Sequence, residues 1–400
     1  MKVQVAVVGA GPVGLTAALA LKAQGITPVI FEADAEDKLR PGSRALFIHN
    51  QPLQELDQMA PGMRQTLIDQ GLVWDARRYF YRGRQFFVKE YDERKRQIFG
   101  TSVPQAVTEA ALRDACRAAG IETYWSAPVA GVHVDDHGVE IAFEGRDSVM
   151  ADFVVGADGS KSVVRKTAGI KLIGNTSDSR WVIIDLDELD EEPARKELTF
   201  HYAHPGVGQR NVLMIPFKGG WRLDIEARND EELRRLSTPE EIRAWLPSVM
   251  DARYCDKIAW VSTYRFYQLV AEHFTDTHRR VLLVGEAAHL FPPFGGRGLN
   301  SGIIDAASAA HAIAQSIASP GLEQRKILVD AFSRDRRAAA DFNMESAAIG
   351  VDLMAPATIL GRLKREWLAL RSRWSIGAAR ALSMGPNGRA GGRPGQSGIY

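Results

Sequence analysis

Arg280-Val-Leu-Leu-Val-Gly-Glu-Ala-Ala-His289-Leu-Phe-Pro-Pro-Phe-Gly-Gly-Arg-Gly-Leu-Asn300 is the stretch whose reading decides the fold. It reads as an apolar strand, a loop rich in proline and glycine, and a small-residue helix from Ser301 to Ile317. A junction of this kind leaves backbone N–H groups exposed at a helix N-terminus, where an anion or a polar ring edge can sit. A second glycine loop, Gly9-Ala-Gly-Pro-Val-Gly14, stands near the other end of the chain. Two such loops predict one long cofactor held at both its ends.

The earlier loop has the context that gives its glycines meaning. A valine-rich strand, Val3 to Val8, precedes it, and a helix from Leu15 to Gln24 follows, with Gly25 as its cap. The strand Pro28 to Phe31 then ends in Glu32. In such a strand–helix–strand unit Gly9 permits the tight turn, Gly11 lets a pyrophosphate approach the backbone, and Gly14 permits close packing. Pro12 and Val13 fill the remaining positions. Glu32 is placed to accept from a ribose hydroxyl, which suits NAD or FAD rather than NADP.

A third junction, Gly156-Ala-Asp-Gly-Ser-Lys-Ser-Val-Val-Arg165, follows the strand Ala151 to Val155, with Ser160 or Ser162 as the helix cap. Asp158 there is a ligand for the cofactor or only a turn acid. In the opening stretch, Gly285 and Glu286 end the strand. Pro292 and Pro293 fix the loop, and Gly295, Gly296 and Gly298 leave N–H groups free to face a ligand. His289 reads as a packed, hydrogen-bonded residue before it reads as a catalyst.

The rest of the chain divides around these loops. Val129 to Val134 and Val139 to Phe143 flank Asp135-Asp-His-Gly138 as a hairpin, and a helix runs from Glu109 to Ala119. Residues 72–100, rich in aromatics and arginine, read as strands or loops outside the first domain. Segments Glu197–Ala203, Asn211–Phe217, Trp221–Ala227 and Ile258–Phe266 alternate apolar and polar residues, with a helix at Pro239–Met250. They predict an antiparallel sheet inserted between the cofactor segments. The expected fold class is therefore α/β. A Rossmann-like domain is assembled from 1–75, 101–170 and 281–345. A β-sheet substrate domain is assembled from 76–100 and 171–280. A C-terminal helical segment, 346–384, carries a helix at Arg362–Ala381 with the stripe Leu363, Trp367, Leu370 and Trp374, and 385–400 form a flexible tail.

Composition excludes more than it selects. The 400 residues are 45% apolar and 25% charged, with net charge +1, so no global field favours nucleic acid. Cys116 and Cys255 have no metal or redox spacing, and Cys116 reads as a core residue. No apolar run is long enough for a membrane span, and the first strand starts with no signal segment before it, so a cytoplasmic protein is expected. From Gly361 onward eight Lys or Arg stand against one acid, most simply a solvated helix face, with membrane or partner contact as the alternative.

Taken together, the three loops and their order resemble the class A flavoprotein aromatic hydroxylases, the para-hydroxybenzoate hydroxylase group. The branch is similar to the 3-(3-hydroxyphenyl)propionate and phenol-type hydroxylases, through Tyr264-Arg-Phe266, Ala271-Glu272, Arg280–Leu283 and Gly295–Gly302. The resemblance implies FAD, with Glu32 at the adenosine ribose, Arg44 and Gln105 near the pyrophosphate, and Val129 meeting adenine through its backbone. It further implies Asp158 at the pyrophosphate and ribityl end, and Glu286 on the ribityl chain. Pro293 would lie by the reactive ring edge, and Gly298, Leu299 and Asn300 would offer N–H groups to the pyrimidine edge. The chain departs from the family in Glu286, where Asp is usual, and Arg297, where Gln is frequent. Arg297 would favour an anionic substrate or flavin, or else point at solvent. Larger relatives continue into a thioredoxin-like C-terminal domain.

The chemistry so implied is hydride transfer from NADH or NADPH to FAD, reaction of reduced flavin with O2 to a C4a-hydroperoxide, and hydroxylation of a small phenolic ring, in a monomer or homodimer. Site residues would exclude water, favour the phenolate and align the ring. His201, Tyr202, Arg222 and Tyr264 in the inserted sheet, and Tyr79 and Tyr81 before it, are the polar and aromatic candidates, with Tyr202 on the face of Leu198 and Phe200. The alternatives are a flavin-dependent reductase or halogenase, though Ile215-Pro-Phe-Lys-Gly-Gly-Trp221 does not match the halogenase segment, and a non-catalytic FAD-binding protein.

Overall fold

A computed structural model describes residues 1–38, 42–91, 99–190, 196–319 and 321–386, with the side chains of 177 and 178 excepted. Two large sheets organise it. In the first, Lys2–Val8 lies between Val29–Phe31 and Arg146–Gly156, parallel to both, and Glu122–Tyr124 extends the edge. Arg146–Gly156 is the hub. Its beginning pairs antiparallel with Val139–Phe143, which pairs with Val129–Val134, and its end pairs parallel with Val281–Leu283. Chain segments far apart in sequence thus meet on one strand. Val5, Val7, Val154, Val155, Leu282 and Leu283 are buried, as expected of parallel strands covered on both faces. Helix Pro12–Ala23 packs between Gln105–Ala118 and Arg297–Ala318, and its alanines allow the close approach.

The second sheet has eight strands, in the order His289–Leu290, Ile258–Ala271, Leu172–Asp187, Gly220–Ala227, Arg210–Phe217, Glu197–His204, Ala76–Tyr81 and Arg84–Glu90. All neighbours are antiparallel except Glu197–His204 and Ala76–Tyr81, which run parallel. The segment around 76–90 is therefore a hairpin added to the edge of the inserted sheet. Strand Leu172–Asp187 was not expected from the sequence. Its polar middle, Asn175 to Arg180, interrupts the alternation, although Val182, Ile184 and Leu186 are fully buried.

Alternation gives this sheet two distinct faces. One carries Val182, Ile184, Leu186, Leu223 and Ile225 against helices Asp230–Leu236 and Pro239–Trp245. The other carries Trp181, Phe200, Tyr202, Leu213 and Phe266, together with Tyr79 and Phe294. A two-stranded pair, Leu46–His49 with Gly100–Val103, lies between the sheets in the chain's course.

The C-terminal part differs from expectation. Helix Leu322–Met354 runs unbroken through position 345, where the sequence suggested a boundary. The single helix expected at 362–381 is two, Ile359–Arg371 and Ile376–Ser383, the second capped by Ser375 Oγ accepting from Ala378 N. The proposed tail at 385–400 falls outside the described residues beyond Pro386. Among the described residues no single helix is long and apolar enough to cross a membrane.

Candidate cofactor and substrate site

The glycine loops converge as the sequence predicts. Gly9 has φ of 105°, and a Cβ on Gly14 would stand 1.9 Å from the Gly9 carbonyl oxygen, so the turn closes only with glycine there. Gly11 caps helix Pro12–Ala23 with no side chain satisfying its first N–H groups. Helix Arg297–Ala318 begins in the same way, on Gly296 at φ 64°, again without a side-chain cap. Val13 ties the two starts together, because Cβ atoms on Gly285 and Gly302 would both collide with its methyl groups.

A groove of about 640 Å³ runs between these helix starts. Its walls are Gly9, Gly11, Pro12, Val13, Glu32, Gln105, Val129, Asp158, Lys161, Glu286, Gly298 and Leu299. Most cofactor residues inferred from the sequence thus line one groove, with Glu32 and Val129 toward one end and Gly298 and Leu299 at the other helix start. Unsatisfied N–H groups at two helix N-termini suit the pyrophosphate and the polar ring edge of a long dinucleotide.

Several of these side chains are already engaged in building the groove. Glu32 accepts from Ala10 N at 2.6 Å and from Asp34 N at 2.9 Å, so it braces the glycine turn. Asp158 accepts from Ser162 Oγ at 2.5 Å and from Val163 N and Val164 N at 2.7 and 3.0 Å. Ser162, one of the two expected caps, accepts from Arg165 N. Gln105 Nε2 donates to Glu109 at 2.8 Å. Glu286 is solvent-accessible, yet the protein packed around its carboxyl raises its pKa, opposed by the nearby His289.

Three expectations need correction. Arg44 is not on the groove: it pairs with Asp187 at 2.9 Å and lies over the Phe217 ring, turned toward the second sheet. Arg297 neither points at solvent nor lines the groove. It is buried, donates to Asn343 Oδ1 at 2.7 Å, and burial lowers its pKa to about 10. The Asn300 side chain is structural, accepting from His49 N at 2.8 Å and donating to Phe47 O at 2.8 Å, so its backbone N–H, the group the family resemblance gives to the cofactor, is what it has left to offer a ligand. Tyr202 shares the face of Leu198 and Phe200 as expected, but is fully buried with its hydroxyl donating to Leu382 O at 2.6 Å.

The remaining candidates separate by strand face. His201 points the other way from Phe200 and Tyr202 and stacks on Phe80 at 4.4 Å, where burial lowers its pKa to about 4. Arg222 and Tyr264 stand on the face toward the cofactor domain. Arg222 donates to Asp224 on its own strand at 3.0 Å and to Ser43 Oγ at 2.5 Å, tying the second sheet to the loop before Leu46–His49. Burial and the charge of Glu286 raise the pKa of Tyr264. Asp185, cross-strand neighbour of Arg222, is fully buried, and neither carboxylate oxygen has a hydrogen bond that meets normal geometry. Burial pushes it up to about 6, against the pull of Arg222 and the nearby Arg44 N–H. His289 is structural: it donates to Asp305 at 2.6 Å, Asp305 pairs with Arg336 at 2.7 Å, and Asp305 also accepts from Gly285 N.

Beyond the loop Pro293–Gly296 lies a second, apolar cavity of about 80 Å³, lined by Ala45, Phe47, Trp74, Leu213, Ile215 and Phe294, with Pro293 at its wall. Leu46 faces the groove while Ala45 and Phe47 face this cavity, so one strand forms the partition. Among the described residues its single charged lining residue is Arg77, 5% exposed and stacked over Trp74 and Phe47 at 5.2 and 5.3 Å. Next to it His49 contacts Gly295 O at 2.9 Å, and burial, with the charges of Arg77, Arg297 and Lys89, lowers its pKa to about 3. Sequence reasoning missed both. For Arg77 the signal was the aromatic and arginine-rich composition of 72–100, and for His49 there was none.

With this geometry, residues 2–347 match the family model described as FAD binding domain. The chain belongs to this FAD-binding family. FAD is accordingly the dinucleotide for which the groove is built, and NAD(P)H is the co-substrate typical of the family. A 3-(3-hydroxy-phenyl)propionate/3-hydroxycinnamic acid hydroxylase of Burkholderia cenocepacia is 29% identical over 382 residues, 92% of this chain and 67% of that protein. A 6-methylpretetramide 4-monooxygenase of Streptomyces rimosus is 29% identical over 83% of this chain and 59% of its own length. Among solved structures, the p-nitrophenol 4-monooxygenase of Pseudomonas putida superposes with a TM-score of 0.78 at 22% identity, over 98% of this chain and all of that one. At that identity the likeness is one of fold.

Proposed function

We propose that the protein is an NAD(P)H-dependent FAD monooxygenase that hydroxylates a small phenolic ring. The observation that carries the reading is the partition. A groove suited to FAD and an apolar, aromatic cavity share the wall formed by Ala45–Phe47 and Pro293–Leu299. The hydroxylase names of relatives at 29% identity support it. Bound FAD would supply hydride acceptance from NAD(P)H and activation of O2. Overall, NAD(P)H, a proton, O2 and the phenol give NAD(P)+, water and the hydroxylated phenol.

The chain's own groups have separable tasks. Backbone N–H groups of Gly298 and Leu299 stabilise negative charge at the ring edge that meets the helix start. Phe47, Trp74, Leu213 and Phe294 exclude water from the reacting ring. Arg77 stabilises negative charge on the substrate, as phenolate or ring carboxylate. The test is NAD(P)H oxidation by the FAD-loaded protein with a panel of phenols and hydroxylated pyridines, with product and peroxide measured together. Stimulation with product formation is expected. A yellow protein that no phenol stimulates refutes the hydroxylase reading, and one that takes up no FAD refutes the groove assignment as well.

A further inference from the structure

The stripe in helix Ile359–Arg371 has the period of a core-facing helix and faces outward. Ile359, Leu360, Leu363, Trp367 and Leu370 are 75, 79, 60, 54 and 51% exposed, and Trp374 and Ile376 continue the patch at 79 and 64%. At about 100° per residue the five helical positions fall within one arc of about 100°. Leu368, on the opposite side, is the buried anchor, and Arg365 donates inward to Met354 O at 2.7 Å. Lys364 and Arg371 border one edge of the arc and Arg362 the other, with Arg373 in the following turn. The only acid in this stretch, Glu366, accepts from Tyr81 Oη at 2.5 Å and Arg82 Nη2 at 2.9 Å. Beside the stripe a groove of about 600 Å³ is lined by Trp367, Leu370 and Arg373 from the helix side and Arg82, Arg84 and Phe86 from the hairpin.

We propose that this face seats the protein on an anionic phospholipid surface, with the helix lying in the plane of the interface. An apolar arc with two tryptophans, edged on both sides by cations, is the pattern that buries at the boundary between acyl chains and headgroups. The adjacent groove adds Arg84 and Arg373, which would meet a headgroup phosphate, while Arg82 in the same groove is held by Glu366. Charge selects lipid over a second copy of the chain. A twofold contact would place Arg362, Lys364, Arg371 and Arg373 opposite the same residues, with Glu366 already engaged. Among the described residues no single helix is long and apolar enough to cross the bilayer; Leu322–Met354 and Ile359–Arg371 have the length and composition only as a pair bent by 80°, and the proposed attachment is peripheral.

The test is co-sedimentation of the FAD-loaded protein with vesicles of phosphatidylcholine alone and of phosphatidylcholine mixed equally with phosphatidylglycerol. Partition into the anionic vesicles should be at least roughly tenfold stronger at low salt, fall in high salt, and shift tryptophan emission to the blue. Replacing Lys364→Gln and Arg371→Gln together should weaken it roughly 25-fold, at about fivefold per cation. Leu363→Ser with Trp374→Ser should abolish it. Unchanged FAD content in each variant separates lost docking from lost folding. Absence of binding to the anionic vesicles, or binding indifferent to both pairs of substitutions, overturns the proposal. So does a dimer in sedimentation velocity that Leu363→Ser with Trp374→Ser dissolves, which would assign the face to a second copy.

Discussion

Replacing Gly14→Ala tests whether the turn over Gly9 shapes the FAD groove. The added Cβ would stand 1.9 Å from Gly9 O, 3.0 Å from Gly9 C and 3.3 Å from Ala157 Cβ. A carbon–oxygen contact needs about 3.5 Å, so the turn must retreat by more than about 1 Å. The obstacle is backbone, and no side-chain rotation relieves it. Overpacking of this kind costs about 1–3 kcal/mol in stability. The same retreat carries Gly11 away from the pyrophosphate, and losing one charge-assisted hydrogen bond there costs about 1.5–3 kcal/mol. FAD affinity should therefore fall roughly 10- to 150-fold. The assay is titration of apoprotein with FAD by quenching of flavin fluorescence, with thermal unfolding of the apoprotein alongside. An affinity within about twofold of the parent would refute the argument, since it would mean that the turn can move without reshaping the groove.

Three further outcomes follow from the same geometry. Tyr202→Phe leaves the Leu382 carbonyl with only the longer bond from Gly385 N at 3.3 Å, so it should lower stability by about 0.5–1.5 kcal/mol in urea unfolding while NAD(P)H-dependent flavin reduction stays at the parent rate. Asp185→Asn should leave stability unchanged near pH 4 and raise it by roughly 3 kcal/mol at pH 8, because a carboxyl raised to about 6 destabilises the fold increasingly as pH climbs from its unfolded value through its folded one. A difference independent of pH would sink that account. Arg77→Met should raise KM for a carboxylate-bearing phenol roughly 10- to 150-fold, one charge-assisted bond, with little change for a neutral phenol; equal losses for both would show that Arg77 only holds the cavity's shape.

What the sequence disclosed, and what it hid, divides along physical lines. Gly9, Gly14, Glu32 and Glu286 were legible because they answer to local rules: a positive φ, a close approach, an acid at a strand end. The hairpin Val129–Val134 and Val139–Phe143 has the expected bounds because turn chemistry and alternation agree there. Arg77 and His49 were not legible, since both are buried by segments remote in sequence, among them the loop at Gly295. Arg44, Arg297 and Asn300 lie in the right motifs, but which partner holds each side chain is settled by packing of the second sheet, of helix Leu322–Met354 and of strand Leu46–His49 respectively. For Leu363, Trp367 and Leu370 the period was plain and the direction was not, because periodicity says that residues share a face and is silent about what that face meets.

The strand Arg146–Gly156 joins the first strand of the chain to Val281–Leu283, while Glu197–His204 receives Ala76–Tyr81 in parallel. During synthesis neither sheet can be finished in sequence order. The nascent chain must hold Ala76–Tyr81 without its parallel partner until Glu197–His204 emerges, and Arg146–Gly156 keeps an open edge until Val281–Leu283 arrives. Loop closure over such separations is slow, and unpaired strands are prone to associate with other chains. Fragments stopping before residue 281 should therefore aggregate rather than yield a working half. The interleaving that brings both ends of the chain to one FAD groove also makes the two sheets inseparable as folding units.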